Sequence, residues 1–259
     1  MKNNIKVALV GNPNVGKTSV FNALTGLNQR VGNYPGITVE RKIGSARISE
    51  KTTARVIDLP GTYSINPSSK DEEVAMKALF ETANEDFPDV IVVVAEVENL
   101  KRNLLLFSQI KDLGFPAILA INMADRMAGK GISIDVPLLE KQLQTKVALI
   151  SIRKNQGIDR LKELIEDYKS LSKNHFLDLK KIDEEYFGLN EVLYLNENPY
   201  KVWLNQSQGI SFPNISPIVG SNFSPKSTSE IKRFQQKETI KRYQLINDFL
   251  KESYVVDTS

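Results

Sequence analysis

Cysteine is absent from the 259 residues, and histidine occurs only once, as His175. Without thiols, the chain can form no disulfide, no cysteine-ligated zinc or iron–sulfur site and no thiolate nucleophile. A single histidine also excludes a histidine-rich transition-metal centre. A functional site in this chain must therefore be built from backbone groups and from side chains other than thiols or clustered imidazoles.

Long apolar runs and a strong charge excess are also missing. No stretch of about 18 apolar residues occurs, so no membrane-spanning helix is expected in this sequence. The first residues, M-K-N-N, lead directly into a strand-like segment without a signal-peptide pattern, and we expect a soluble, cytoplasmic chain. The net charge is only +3, and the part after residue 170 carries none, which argues against nucleic acid as a partner.

Strand and helix patterns alternate up to about residue 170. This alternation predicts right-handed βαβ crossovers in a mostly parallel, doubly wound sheet with helices on both faces. Residues 40–49 precede a strand closely and predict an antiparallel pair with it. The predicted strands are residues 6–10, 54–59, 90–95, 117–122 and 146–151, and the predicted helices are 17–27, 71–82, 100–113, 136–144 and 158–171.

After residue 170 the strand pattern stops. Residues 177–195 and 230–254 favour helices, and residues 205–229, rich in Ser, Asn, Pro and Gly, favour a long loop. At roughly 150 residues per domain, the chain fits one large or two modest domains. We expect an α/β domain over residues 1–170 and an all-helical domain over 171–259.

Residues 11–18, G-N-P-N-V-G-K-T, match the phosphate-loop pattern G-x-x-x-x-G-K-S/T between a predicted strand and a predicted helix. The glycines let backbone N–H groups converge on phosphate oxygens, and the helix N-terminus adds partial positive charge. Lys17 is expected to reach the β- and γ-phosphates, and Thr18 to give a hard oxygen ligand to Mg²⁺. A glycine-rich turn with an exposed lysine is the alternative, which the strand–loop–helix context disfavours.

Residues 122–125, N-M-A-D, end a predicted strand, where ligands collect in open α/β sheets. The carboxylate of Asp125 suits the N1–H and exocyclic amine of guanine, a pair of donors that adenine lacks. The alternative is that Asn122 and Asp125 only cap a turn. We therefore expect a site for GTP or GDP.

Two further segments complete the predicted nucleotide site. Residues 58–61, D-L-P-G, follow a strand. Asp58 is expected to hold Mg²⁺ through water, and the N–H of Gly61 to meet the γ-phosphate and move when it is lost. Residues 151–153, S-I-R, end the last strand, where backbone N–H groups are expected to support the guanine O6.

With these segments in place, the chain resembles the cytosolic N-terminal domain of the bacterial ferrous iron transport protein B family, within the translation-factor-related small GTPases. The resemblance lies in residues 11–18, 58–64 and 122–125, and above all in residues 28–42, N-Q-R-V-G-N-Y-P-G-I-T-V-E-R-K. In that family a helical domain follows, and then a polytopic membrane region. The chain is therefore expected to end before the first membrane span.

The resemblance implies a P-loop small-GTPase fold that hydrolyses GTP and regulates ferrous iron uptake at the cytoplasmic face of the inner membrane. Thr38 matches the switch I threonine that completes Mg²⁺ coordination. Asn14 matches the asparagine that holds K⁺ in potassium-activated members, together with the backbone of residues 32–34. The expected partners are GTP or GDP and the membrane region of the same polypeptide, with no nucleic acid, and a homo-oligomer is left open.

The motifs and the resemblance together assign a set of residues to the nucleotide site. Those expected to act in hydrolysis are Lys17, Thr38, Gly61 and Asn14. Those expected to contact nucleotide or metal are Gly11, Asn12, Pro13, Asn14, Val15, Gly16, Lys17, Thr18, Ser19, Gly36, Ile37, Thr38, Asp58, Leu59, Pro60, Gly61, Asn122, Met123, Asp125, Ser151, Ile152 and Arg153.

Thr62 stands where Ras-like proteins place a glutamine that orients the attacking water, and its side chain is too short for that role. No arginine finger can be assigned from the sequence. Hydrolysis is therefore expected to be slow unless a cation such as K⁺, held by Asn14, neutralises charge on the phosphates. A turn-forming role is the alternative for Asn14. Ile152 replaces the small residue usual in the family and is expected to loosen the guanine pocket.

Two other functions stay open at this point. A stand-alone ribosome-assembly GTPase is disfavoured, because the neutral second half has no RNA-binding signature. A binding module that holds GDP or GTP with negligible turnover is the other alternative. Hydrolysis assays in KCl and in NaCl separate this module from an enzyme.

Overall fold

A seven-stranded sheet with strand order β2-β3-β4-β1-β5-β6-β8 forms the body of the molecule. The structure is a computed structural model and describes residues 3–34, 38–67, 69–80, 87–177, 198, 200–201, 204 and 227–257. The strands are β1 (Asn3–Gly11), β2 (Gln29–Asn33), β3 (Glu40–Arg47), β4 (Thr52–Asp58), β5 (Val90–Glu96), β6 (Ala117–Asn122), β7 (Ile132–Ile134), β8 (Lys146–Leu149) and β9 (Tyr254–Val256). The helices are α1 (Lys17–Thr25), α2 (Lys70–Phe80), α3 (Leu100–Asp112), α4 (Val136–Leu143), α5 (Ile158–Glu166) and α6 (Thr228–Ser253).

The pairing within this sheet confirms the predicted fold class. β1 pairs in parallel with β4 and β5, and β6 pairs in parallel with β5 and β8. β3 and β4 form the predicted antiparallel pair. The apolar run of β5 is fully buried, because its side chains enter two apolar cores on opposite faces of the sheet. The carboxyl ends of the parallel strands therefore meet at one edge, where the predicted motifs lie.

Three short strands were not predicted from the sequence. β2 pairs antiparallel with β3, and β7 pairs antiparallel with β9. The expectation that strands stop after residue 170 was therefore wrong, because residues 254–256 form β9. Strands of three residues are too short to show a two-residue hydrophobic period, and β2 is mostly exposed and polar.

Of the elements predicted after residue 170, the structure describes only the last helix in full. The helix predicted at residues 230–254 is present as α6. Apart from Leu177, the helix predicted at 177–195 lies outside the described residues, as does the loop at 205–226. Residues 228–229, predicted as loop, begin α6 instead. Among the described residues, none of the helices combines the length and the apolar composition that a bilayer crossing requires.

A buried ionic cluster fastens α6 to α3. The guanidinium of Arg242 lies 2.6 Å from Asp112 Oδ2, and its Nε donates to Glu238 Oε1 at 2.8 Å. The hydroxyl of Tyr200 donates to the same Glu238 oxygen at 2.7 Å, and Arg242 also donates to the Ser108 hydroxyl at 3.2 Å. All these charged side chains are fully buried. Around them, α6 shares the apolar core on one face of the sheet.

Candidate functional site

The phosphate loop connects the end of β1 to the start of α1. Asn14 and Gly16 both adopt left-handed backbone conformations, with φ of 68° and 82°. A side chain at Gly16 would overlap the carboxamide of Asn122, so this position requires glycine for space as well as for conformation. Left-handed residues directly before a helix N-terminus are typical of the curled loops in which backbone N–H groups bind an anion.

Lys17, Thr18 and Asp58 form a compact polar cluster at the start of α1. The Nζ of Lys17 pairs with Asp58 Oδ1, and the Thr18 hydroxyl donates to Asp58 Oδ2 at 3.1 Å. Asp58 is only 6% exposed, so these two partners are needed to offset the cost of burying its charged carboxylate. A carboxylate and a hydroxyl side by side are hard oxygen donors, and they fit the preferences of Mg²⁺.

The base motif is fastened to the phosphate loop. The buried carboxamide of Asn122 donates to the carbonyl of Val15 at 3.0 Å. Met123 takes a left-handed conformation, with φ of 61°, which turns the chain after β6. The phosphate half and the base half of the predicted site thus belong to one continuous edge of the sheet.

Asp125 is held by the side chain of Ser151. The Ser151 hydroxyl donates to Asp125 Oδ1 at 2.7 Å, and this hydrogen bond is the main cause that lowers the pKa of Asp125. The N–H of Ser151 donates to Gln156 at 3.0 Å, so it is already used within the turn. Sequence reasoning assigned Ser151 by its backbone and missed this hydroxyl. The N–H groups of Ile152 and Arg153 remain predicted contacts of guanine.

The segment after Asp58 rests on the phosphate loop. A side chain at Gly61 would lie 3.2 Å from three atoms of Pro13, and the N–H of Thr62 donates to Gly11 at 3.1 Å. Thr62 is completely buried, and its hydroxyl donates to the carbonyl of Ser64 at 2.7 Å. Its side chain is therefore turned away from solvent as well as being short.

The structure describes the predicted switch I residues only in part. Gly36 and Ile37 fall outside the described residues, and Thr38 is exposed just before β3. Gly32 lies in β2, paired with Arg41 of β3, and Asn14 is exposed on the phosphate loop. Burial raises the pKa of Tyr34 to about 12. The roles predicted for Thr38 and Asn14 stay proposals.

Comparison with known proteins gives consistent matches. The family model described as ferrous iron transport protein B matches residues 5–165. An Fe(2+) transporter FeoB from Leptospira biflexa is 34% identical over 235 residues, which is 90% of this chain and 33% of that protein. An Fe(2+) transport protein A/FeoB fusion protein from Porphyromonas gingivalis is 43% identical over 157 residues, 61% of this chain and 18% of that one. The chain therefore spans about a third or less of these relatives.

Solved structures of cytosolic FeoB domains are also similar. The apo form of the T. maritima domain has a TM-score of 0.83 and 31% identity, and the match covers 97% of this chain and 100% of that one. The GMPPNP form of the same domain has a TM-score of 0.80 and 29% identity, with coverage of 97% and 99%.

Proposed function

The chain belongs to the ferrous iron transport protein B family, and from this membership we propose that it binds GTP and GDP and hydrolyses GTP to regulate ferrous iron passage through a membrane region of the same polypeptide. The proposal places it at the cytoplasmic face of the inner membrane. The observation that carries it is the Asn122–Val15 hydrogen bond, because it joins a phosphate loop and a guanine-reading motif into one site. The T. maritima domain has structures in GDP and GMPPNP forms.

The residues take defined roles in this proposal. Backbone N–H groups of residues 14–17 hold the phosphates, and Lys17 exchanges Asp58 for β- and γ-phosphate oxygens. Thr18 and Thr38, and Asp58 through water, would hold Mg²⁺, which would supply positive charge against the phosphates. The Gly61 N–H meets the γ-phosphate, and Asp125 accepts from guanine.

The first test concerns hydrolysis in different salts. Because Thr62 is turned inward, we expect slow GTP turnover in NaCl and at least tenfold faster turnover in KCl, as one added cation near the phosphates stabilises developing charge. Asn14→Ala is expected to remove this difference, whereas Asn247→Ala, an exposed position on α6, is expected to keep it. Phosphate release measured in both salts checks the result.

Three outcomes of this assay are informative. Equal turnover in both salts would contradict a role for K⁺ but not the GTPase function. Nucleotide binding without turnover in either salt would replace the enzyme with a nucleotide-holding module. Absence of binding to GTP and GDP would overturn the proposed function.

A second test concerns the choice of base. Asp125→Asn exchanges one acceptor oxygen for a donor amide, so guanine loses a charge-assisted hydrogen bond and meets a donor instead. We expect GDP affinity to fall by about tenfold to a hundredfold, because hydrogen bonds to charged groups contribute about 1.5–3 kcal/mol. Affinity for xanthosine diphosphate is expected to rise.

Titration calorimetry measures the affinity for both nucleotides, with Asp159→Asn, which changes an exposed acid on α5, as the control. A wild-type chain that binds ADP as well as GDP would disprove the base assignment.

A further inference from the structure

Asn12 carries a side chain with unmet hydrogen-bonding capacity. It follows Gly11 in the phosphate loop and is 3% exposed. Among the residues that the structure describes, neither its Nδ2 nor its Oδ1 has a hydrogen-bond partner. A buried carboxamide without partners carries a desolvation penalty that proteins normally offset by hydrogen bonding. A second conformational state in which Asn12 gains partners would account for this residue.

The segment expected to change with the nucleotide contacts the two sequence neighbours of Asn12. Thr62 donates its N–H to the residue before Asn12, and Gly61 packs against the residue after it. The Thr62 hydroxyl is already used by Ser64. Switch II, defined here as residues 58–65, therefore contacts the residues on both sides of Asn12 in the phosphate loop.

A second carboxamide, which contacts switch II at Ile65, also has incomplete hydrogen bonding. Gln109, fully buried on α3, accepts the N–H of Ile65 at 3.1 Å through Oε1. Its Nε2 has no hydrogen-bond partner within the described part of the chain. With switch II in this position, side-chain polar atoms of Asn12 and Gln109 have no hydrogen-bond partner among the described residues. This is expected if switch II has a second stable position.

We propose that Asn12 is a positioning residue whose carboxamide bonds the backbone of switch II when residues 61–62 close on the γ-phosphate. The role rests on the proposed GTPase function, which supplies the diphosphate and triphosphate states. Hydrogen bonds made in only one of two states shift the equilibrium towards that state. Asn12 therefore favours the triphosphate-bound form.

The test compares stability with nucleotide preference in Asn12→Leu, a substitution of similar size without polar atoms. The melting temperature of the nucleotide-free protein is expected not to fall, because no hydrogen bond is lost. The ratio of GMPPNP affinity to GDP affinity is expected to fall about tenfold, the effect of about one hydrogen bond. Asn22→Leu is the matched control, since Asn22 Oδ1 is also buried without a partner but lies on α1. This control is expected to leave the ratio unchanged.

Each other outcome argues against the role of Asn12. A ratio within twofold of wild type would overturn it while leaving GTP binding intact. A lower melting temperature with equal losses for both nucleotides would make Asn12 a structural residue. If the wild-type chain bound neither nucleotide, the proposed function itself would fall, and the role of Asn12 with it.

Discussion

Lys17→Ala is expected to reduce GTP hydrolysis, measured as kcat/KM, by about 10²–10³-fold. Removing a single preorganised group that stabilises transition-state charge has an effect of this size in a site that excludes water. The Lys17 side chain is only 11% exposed, so water cannot replace its charge effectively. Lys51→Ala removes the same charge from an exposed turn and is expected to leave kcat/KM unchanged.

The same substitution has a second consequence for the nucleotide-free protein. Without Lys17, the hydrogen bond from Thr18 is the one side-chain partner that the described residues leave to the buried carboxylate of Asp58. We expect a loss of about 2 kcal/mol in the free energy of unfolding, less than for a fully buried pair because one partner remains.

A double variant separates these two effects. Lys17→Ala with Asp58→Asn is expected to recover the lost stability, since no buried charge is left unpaired, but not to recover hydrolysis. Urea unfolding and phosphate release on the same samples measure the two properties. Recovery of hydrolysis in the double variant would contradict both the phosphate contact proposed for Lys17 and the metal-holding role proposed for Asp58.

The sequence predicted the strands whose structure is determined by local composition. β5, with its run of valine and isoleucine, and β6 both occur at the predicted residues. β7 and β9 depend instead on each other, and they come from distant parts of the chain. No local pattern could indicate that pairing, because it depends on where α6 places residues 254–256.

In the candidate nucleotide site, too, the sequence predicts some features and not others. The motifs located the residues, but the hydrogen bonds that orient them join positions far apart in sequence. Asn122 and Val15 are 107 residues apart, and Ser151 and Asp125 are 26 apart. A motif gives the order of such residues along the chain but not which side-chain atoms meet.

Arg242 illustrates this limit most clearly. Glu238 and Arg242 lie four residues apart on one helix, a spacing typical of a solvent-exposed ion pair worth a few tenths of a kcal/mol. In the structure both are fully buried, because α6 packs this face on α3 and brings Asp112 to the guanidinium. Burial works against the charged form, but Asp112, Tyr200 and Glu238 outweigh it and raise the pKa of Arg242.

Arg242→Met is therefore expected to lower the free energy of unfolding by about 3–5 kcal/mol, because it leaves two buried carboxylates without a cation. This is a large part of the roughly 5–15 kcal/mol that stabilises a typical protein. Urea unfolding followed by circular dichroism measures the change. Lys241→Met, on the exposed face of α6, is expected to alter stability by less than about 0.5 kcal/mol.

The origin of this loss can be tested by removing the remaining charges. Asp112→Asn and Glu238→Gln, added to Arg242→Met, keep an acceptor oxygen for the N–H groups of Phe176 and Leu177 and for the Tyr200 hydroxyl. We expect the triple variant to regain most of the lost stability, since apolar or neutral replacements of buried ion clusters are often tolerated. A triple variant as unstable as Arg242→Met would place the cost in lost packing of the arginine side chain, because no unpaired charge would then remain.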